Sequence, residues 1–221
     1  MTLFRQLLFF TRFLPEAVFL FPILQVLLLM DDKLNLQLPL AYPDIEIATK
    51  QSGFTMASDV LTGSLLRTLA ASKPSARFLE LGTGTGLSTA WILDGMDADS
   101  TLVSIDNEAM FLDIARQFLG NDKRLQLILT DGGGWVEQNI DQKFDYIFAD
   151  TWQGKYIALD EVLTMLNKGG LYIIDDMLPQ PNWPEGHEQK AFHLVDYLGK
   201  REDLILAKQA WSTGIIIAVK R

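Results

Sequence analysis

Not one of the 221 residues is cysteine, which excludes disulfides, thiolate metal ligands and a thiol nucleophile, and leaves the redox compartment open. Histidine is nearly absent too, so a metal site must draw on oxygen ligands or on the only two histidines, His187 and His193. Their separation is not the i, i+3 or i+4 spacing that sets two ligands on one helix face, and both are left out of any metal site. Positive charge is in deficit: 19 Lys and Arg stand against 28 Asp and Glu, a net −9. A broad cationic surface for a phosphate backbone is therefore missing, and no nucleic-acid partner is expected.

Long apolar runs are scarce as well. Leu3 to Met30 holds only Arg5, Arg12 and Glu16 as charges, yet the longest uncharged run, Ala17 to Met30, is 14 residues with Pro22 inside it. That falls short of the roughly 20 residues a bilayer-spanning helix needs. No small-residue cleavage site follows the apolar stretch, where Gln25-Val26-Leu27-Leu28-Leu29-Met30 runs into Asp31-Asp32. A signal peptide is thus not expected, and the chain is expected to be cytoplasmic. Three readings of residues 1–30 stay open: an apolar arm packed on the domain or mediating homodimerisation, a membrane-surface segment, or an extension upstream of a true start at Met30. What is present, 48% hydrophobic and 21% charged residues, suits one globular domain over 31–221.

From Asp44 onward, short apolar runs ending in acids or glycines alternate with segments of helical period, the pattern of βαβ units and of a parallel sheet. Ser58 to Ala71 sets Val60, Leu61, Leu65, Leu66 and Leu69 at helical spacing, and Lys73-Pro74-Ser75 breaks it ahead of a strand over Arg77 to Leu81. Further strands are expected at Thr101 to Ile105, Leu125 to Leu129, Phe144 to Ala149 and Leu171 to Ile174. Helices are expected near Ser88 to Leu93, Glu108 to Leu119 and Tyr156 to Leu166, the last stopped by Asn167-Lys168-Gly169-Gly170. A later helix, His187 to Leu198, precedes two β-like runs, Leu204 to Trp211 and Ile215 to Val219. Their short link, Ser212-Thr213-Gly214, implies an antiparallel hairpin.

The strand Arg77 to Leu81 runs into Gly82-Thr83-Gly84-Thr85-Gly86, and a helix starts near Leu87-Ser88. Glycines there let the backbone approach a ligand closely, and the helix start presents unpaired N–H groups to it. The dinucleotide fingerprint G-x-G-x-x-G wants a glycine where Leu87 stands, which argues against an NAD-type oxidoreductase, the alternative enzyme class. Asp106 ends the second strand, Asp131 follows the third beside Gly132, Asp150 follows the fourth and Asp175 the fifth. Each alone reads equally as a helix cap or a solvated loop residue. Together with Glu80 they should line one crevice beyond the carboxyl ends of the strands.

An acid followed by G-x-G-x-G resembles motif I of the class I S-adenosylmethionine-dependent methyltransferases, and the resemblance covers about Gly53 to Arg221. It implies an α/β fold: a Rossmann-like, doubly wound, mostly parallel seven-stranded sheet closed by the antiparallel hairpin. It also implies a cofactor site of Glu80, Gly82, Gly84, Gly86, Ser88, Asp106, Asp131, Gly132 and Asp150, with Asp106 on the ribose and Asp131 at the adenine.

Within that class, Asp150-Thr151-Trp152-Gln153-Gly154-Lys155-Tyr156 and Asp175-Asp176 are most similar to the small cation-dependent O-methyltransferases of the catechol and caffeoyl-CoA type. In that family the acid after strand four and an Asp-Asn pair after strand five bind a divalent cation that holds two substrate oxygens. The resemblance implies Asp150, Asp175 and Asp176 as ligands of Mg²⁺ or another divalent cation, with Asp176 at the asparagine position. Three converging carboxylates would repel one another unless protonated or neutralised by such an oxygen-seeking ion. The alternative sets Asp150 at the cofactor's reactive end and has Asp175-Asp176 cap the next loop, with no metal.

The catechol enzymes carry a basic lysine three residues after the first metal acid, where this chain has Gln153. Glutamine cannot serve as a base. Lys155 is the candidate replacement, catalytic together with Asp150, while a surface lysine is the bland reading; Asp176, or a hydroxyl acidified by a metal, would make it unnecessary. Met177 to His187, rich in proline and aromatics, is expected to form a semi-rigid substrate loop. Trp152 and Trp183 are candidates to stack on a planar acceptor, and Trp135 either covers the adenine or packs. The expected activity is O-methylation of a small molecule. Metal-independent transfer to another acceptor atom and a noncatalytic binding module are the alternatives.

Overall fold

The computed structural model describes Asp32 and residues 36–221, so the readings of residues 1–30, including contact with a membrane surface or a second subunit, lie outside the described residues. Leu38–Arg221 form one compact unit. No described helix is long and apolar enough to cross a membrane.

Seven strands make one sheet: β1 (Arg77–Leu81), β2 (Thr101–Asp106), β3 (Leu125–Leu129), β4 (Phe144–Ala149), β5 (Leu166–Ile174), β6 (Leu204–Gln209) and β7 (Ile215–Lys220). Their order is β3-β2-β1-β4-β5-β7-β6, parallel from β3 to β5, with β7 antiparallel to both its neighbours. This is the Rossmann-like sheet with its antiparallel hairpin. The winding reverses between β1 and β4, so the connections leaving these neighbouring strands diverge and open a crevice above their carboxyl ends.

Helices α1 (Tyr42–Ser52), α2 (Val60–Ala71), α3 (Leu87–Gly95), α4 (Ala109–Leu119), α5 (Gly132–Gln138), α6 (Leu159–Met165) and α7 (His187–Gly199) cover the sheet. Central parallel strands covered on both faces read as continuous apolar runs rather than alternating ones. Phe78, Tyr146 and Phe148 face one core with Leu66 and Trp91, whereas Leu79, Ile147 and Ile174 face the other with Val162 and Leu198.

Several element ends differ from the sequence expectation for local reasons. Helix α2 begins at Val60, not Ser58, because Asp59 is its N-cap and accepts from the amides of Leu61 and Thr62. Helix α6 begins at Leu159, not Tyr156, because Ala158 sits in the left-handed region at φ 53°. Strand β5 extends back to Leu166: Leu166 pairs with Phe144 and Leu171 with Tyr146, so 167–170 bulge out around Gly169 at φ 76°. Strand β6 stops at Gln209, before Trp211 enters the hairpin link. Helices α1 and α5 have no counterpart among the expected elements.

Candidate active site

The glycine turn is shaped by its surroundings as much as by its own torsions. The amides of Gly82 and Thr83 donate to the Ile105 carbonyl at 2.9 and 3.2 Å, and Gly86 N donates to Thr83 O at 2.9 Å. Gly82 and Gly84 adopt φ of 101° and 52°. A Cβ on Gly82 would lie 2.9 Å from the Asp150 carbonyl oxygen, and one on Gly84 3.0 Å from the Phe54 ring. Side chains are therefore excluded here, and the bare backbone of the turn forms a wall of a cleft of about 430 Å³, a volume suited to a small molecule. Asp106 stands at the same wall, its two oxygens accepting from Gly84 N at 2.7 Å and Glu108 N at 2.8 Å. A carboxylate has further lone pairs, so this brace leaves acceptor capacity for a ligand hydroxyl.

Glu80 does not line the crevice. It is fully buried beneath the turn, with Ser88, Thr89 and Ser104 donating to its carboxylate at 2.7, 2.6 and 2.5 Å. Burial pushes its carboxyl up to about 7 while the three hydroxyls pull it back. Ser88 reaches the cleft wall but gives its hydroxyl hydrogen to Glu80. Asp131 likewise stands away from the cleft, exposed, as the N-cap of α5, accepting from Gly134 N at 2.7 Å. Gly132 lines a small side cavity of about 30 Å³ with Gly82, Asp106, Thr130 and Gln153. Trp135 packs in the core near Phe144, which decides between its two readings. The expectation that five strand-end acids line one crevice is thus corrected: Asp106 and Asp150 do, and Asp176 joins them.

Beyond β4 the chain turns tightly. The amides of Lys155, Tyr156 and Ile157 all donate to the Trp152 carbonyl, at 3.2, 2.8 and 3.0 Å. Gly154, at φ 84°, has its carbonyl held by the Tyr172 hydroxyl. This turn carries Lys155 inward: its side chain is only 6% exposed, and Nζ lies 3.3 Å from Asp150 Oδ1. The surface-lysine reading is excluded. Ser58 donates to the other oxygen, Oδ2, at 2.8 Å.

Asp175 is buried and does not reach the cleft; Thr213, from the hairpin link, and the amide of Asp176 donate to its Oδ1. Burial, then the Asp150 charge, pushes Asp175 up to about 7 and Asp176 up to about 6. Asp176 itself adopts φ 59° and faces the cleft. A divalent cation would need these carboxylates to converge on one point, and among the described residues no three acidic or imidazole side chains do so. Asp150, Asp175 and Asp176 therefore do not fit the cation that the resemblance implies.

The far wall is aromatic. His187 contacts Trp183, Tyr156 and Trp152 with ring centroids 4.5, 5.2 and 5.9 Å apart, and Lys190 Nζ sits 4.1 Å over the Trp152 ring. Desolvation, then the Lys155 and Lys190 charges, lowers the His187 pKa and favours the neutral ring. Trp152 and Trp183 stand at the cleft as expected. The sequence reading missed Ser58, Phe54, Phe111 and Thr213 as cleft residues, and had His187 only as the end of the expected substrate loop. The proline- and aromatic-rich loop was a usable signal for His187; Phe54 and Ser58 come from a segment without a motif, Phe111 from a helix read only for its period and Thr213 from a link read only as a hairpin turn.

A model of the family described as O-methyltransferase matches residues 44–203. A protein of Mycobacterium tuberculosis (strain ATCC 25618 / H37Rv) named Probable O-methyltransferase is 32% identical over 119 residues, 51% of this chain and 52% of that protein. A Mycobacterium leprae (strain TN) protein named for the same activity is 33% identical over 92 residues, 40% and 41% of the two chains. The chain spans about half the length of the curated relatives it matches. Among solved structures, an O-methyltransferase of Bacillus cereus in complex with S-adenosylhomocysteine matches with a TM-score of 0.75 at 17% identity, over 89% of this chain and 97% of that one. The O-methyltransferase of Streptomyces achromogenes involved in tomaymycin synthesis, in complex with S-adenosylmethionine, matches with a TM-score of 0.74 at 21% identity, over 88% and 96%. At these identities the two structures bear on the fold.

Proposed function

The chain belongs to the O-methyltransferase family, and on that premise we propose that it moves a methyl group from S-adenosylmethionine to a hydroxyl oxygen of a small-molecule acceptor. The observation that carries the reading is the continuity of the cleft. A bare glycine turn braced by Asp106 forms one end, and a charged and aromatic acceptor wall forms the other, within a single space.

The residues present fit the cofactor. The turn would hold it by backbone approach at Gly82 and Gly84, Asp106 would accept from its ribose hydroxyls, and Gly132 with Gln153 would flank its base at the side cavity; Gly86, expected to bind it too, instead lies against α4, where a Cβ would meet Ala115 Cβ at 2.9 Å. Glu80 and Ser88 act beneath the turn, by fixing it. When bound, S-adenosylmethionine supplies a methyl on cationic sulfur: an oxygen–carbon bond forms as the carbon–sulfur bond breaks, and its electron pair stays on sulfur.

The chain's own groups manage the acceptor. Trp152, Tyr156 and Trp183 bound the space where a flat acceptor sits. Asp176 takes the hydroxyl proton; it faces the cleft and its carboxylate receives no hydrogen bond among the described residues. Lys155 donates to the oxygen as it becomes negative, and Asp150 keeps the ammonium in place. No step is assigned to a metal.

Two measurements test this. A thermal-shift comparison should show stabilisation by S-adenosylhomocysteine, about 2.7 kcal/mol at a hundredfold excess over Kd. Stabilisation by NAD alone would overturn the reading in favour of the oxidoreductase. Acceptor profiling with catechols, hydroxycinnamates and amines should give product with the hydroxyl compounds; product with amines only would move the transfer to nitrogen.

A further inference from the structure

We propose that the ammonium of Lys155, seated on Asp150, occupies the position that a divalent cation takes in the catechol-type enzymes this chain resembles, so that the site engages its acceptor without a metal. The inference rests on the methyl-transfer reading above and names how that site is built.

The first support is the path of the chain. Three successive amides close on the Trp152 carbonyl, and Gly154 N donates to Ile157 O at 2.8 Å, so the turn presents position 155, not 153, to Asp150. Gln153 goes the other way. It accepts from the Thr151 hydroxyl at 3.0 Å and packs so closely on Gly132 that a Cβ there would meet its Cγ at 3.2 Å. The residue at the spacing of the family's basic lysine thus serves the side cavity, and a lysine two positions later reaches the acid.

The second support is burial. Lys155 and Asp150 are 6% and 11% exposed. A buried ammonium is costly unless paired, and removal of either partner leaves the other as an uncompensated charge.

The third is the use already made of the carboxylate oxygens. A hard divalent cation collects six or more oxygen ligands around one point. Here Asp150 accepts from Ser58 and Lys155, and Asp175 accepts from Thr213 and the Asp176 amide. Both oxygens of Asp150 and one of Asp175 are thus already directed at protein donors, which leaves Asp176 as the one of the three acids whose carboxylate is open to the cleft.

Charge balance agrees. The ammonium offsets one of the acids, and a bound sulfonium brings a second positive charge to the same cleft, so no dication is needed to assemble the reactants.

The test is a calorimetric titration of the full chain with MnCl₂ in the presence of S-adenosylhomocysteine. No saturable uptake is expected up to about 1 mM, the weak end of oxygen-ligand sites. Uptake of one Mn²⁺ per chain that disappears in Asp150→Asn would overturn the proposal. Lys155→Ala removes the occupant and should bind Mn²⁺ at least about tenfold more tightly than the native chain, a difference of about 1.4 kcal/mol. Equal affinity in the two, or equal lack of it, would show that the lysine does not hold the position. Should that variant fold poorly, Lys155→Gln, which keeps a polar stem, carries the same expectation, and the native titration stands without either. S-adenosylhomocysteine titrated alone checks the parent reading separately.

Discussion

Enclosed by three hydroxyls under the glycine turn, Glu80 ties the folded state to pH. Its carboxyl is pushed up to about 7 by burial, whereas the unfolded value is near 4.5. For an acid raised in this way the folded state holds the proton more tightly than the unfolded one. Its contribution is complete below about pH 4.5 and is lost as pH rises through about 7, a loss on the order of 3 kcal/mol. The melting temperature should therefore fall between pH 5 and pH 8, and fall less in Glu80→Gln. Some slope should persist, because Asp175, pushed up to about 7, acts in the same sense. An equal slope in both chains would mean that Glu80 is not held neutral. At this scale the acids were legible as residue types but not as positions. Glu80, Asp131 and Asp175 each satisfy a neighbouring part of the fold, and nothing in their spacing separates an acid facing a ligand from one bracing a turn.

Among the elements, the turn from Asp150 to Ile157 matters most for chemistry. Gly154 combines φ 84° with a position where a Cβ would lie 2.9 Å from Leu81 Cδ1. Gly154→Ala should cost about 1–3 kcal/mol and shift Lys155 off Asp150. The expected result is a lower melting temperature and lost methyl transfer, with S-adenosylhomocysteine binding kept; full turnover would show that the turn does not position the ammonium. Strands β1, β3 and β4 were legible to the residue, because compact apolar runs there meet clear breakers. Helix α5 was not, since three successive glycines are among the poorest helix formers. It exists because Asp131 caps it and Trp135 and Val136 pack into the core. Helix α1 escaped notice because its buried face is Tyr42, Ile45 and Thr49, too polar and too short to show a period.

For the whole molecule, two cores share one sheet, and β1 and β4 supply side chains to both. Leu66→Ala, in one core, should lower stability by about 2–5 kcal/mol. In a single-tryptophan chain retaining Trp91, fluorescence from that core and far-ultraviolet circular dichroism of the whole sheet should then give the same urea midpoint; separate midpoints within that one chain would show that the faces unfold independently. The parallel sheet was legible from the alternation of strand and helix and the hairpin from its short link, whereas the doubly wound arrangement of the seven strands was legible only through the resemblance to the class I methyltransferases. The hairpin has a consequence for biosynthesis. Strand β7 follows β6 in sequence yet lies between β5 and β6, so a nascent chain emerging from the ribosome keeps the β5 edge unpaired until β7 has been made. An open edge beside a hydrophobic core is a template for self-association. Thr213, the partner of Asp175, stands in the link just before β7. A ribosome stalled short of β7 thus releases a sticky, incomplete sheet, and a chaperone that shields β5 would be needed longest when nearly the whole domain has already been translated.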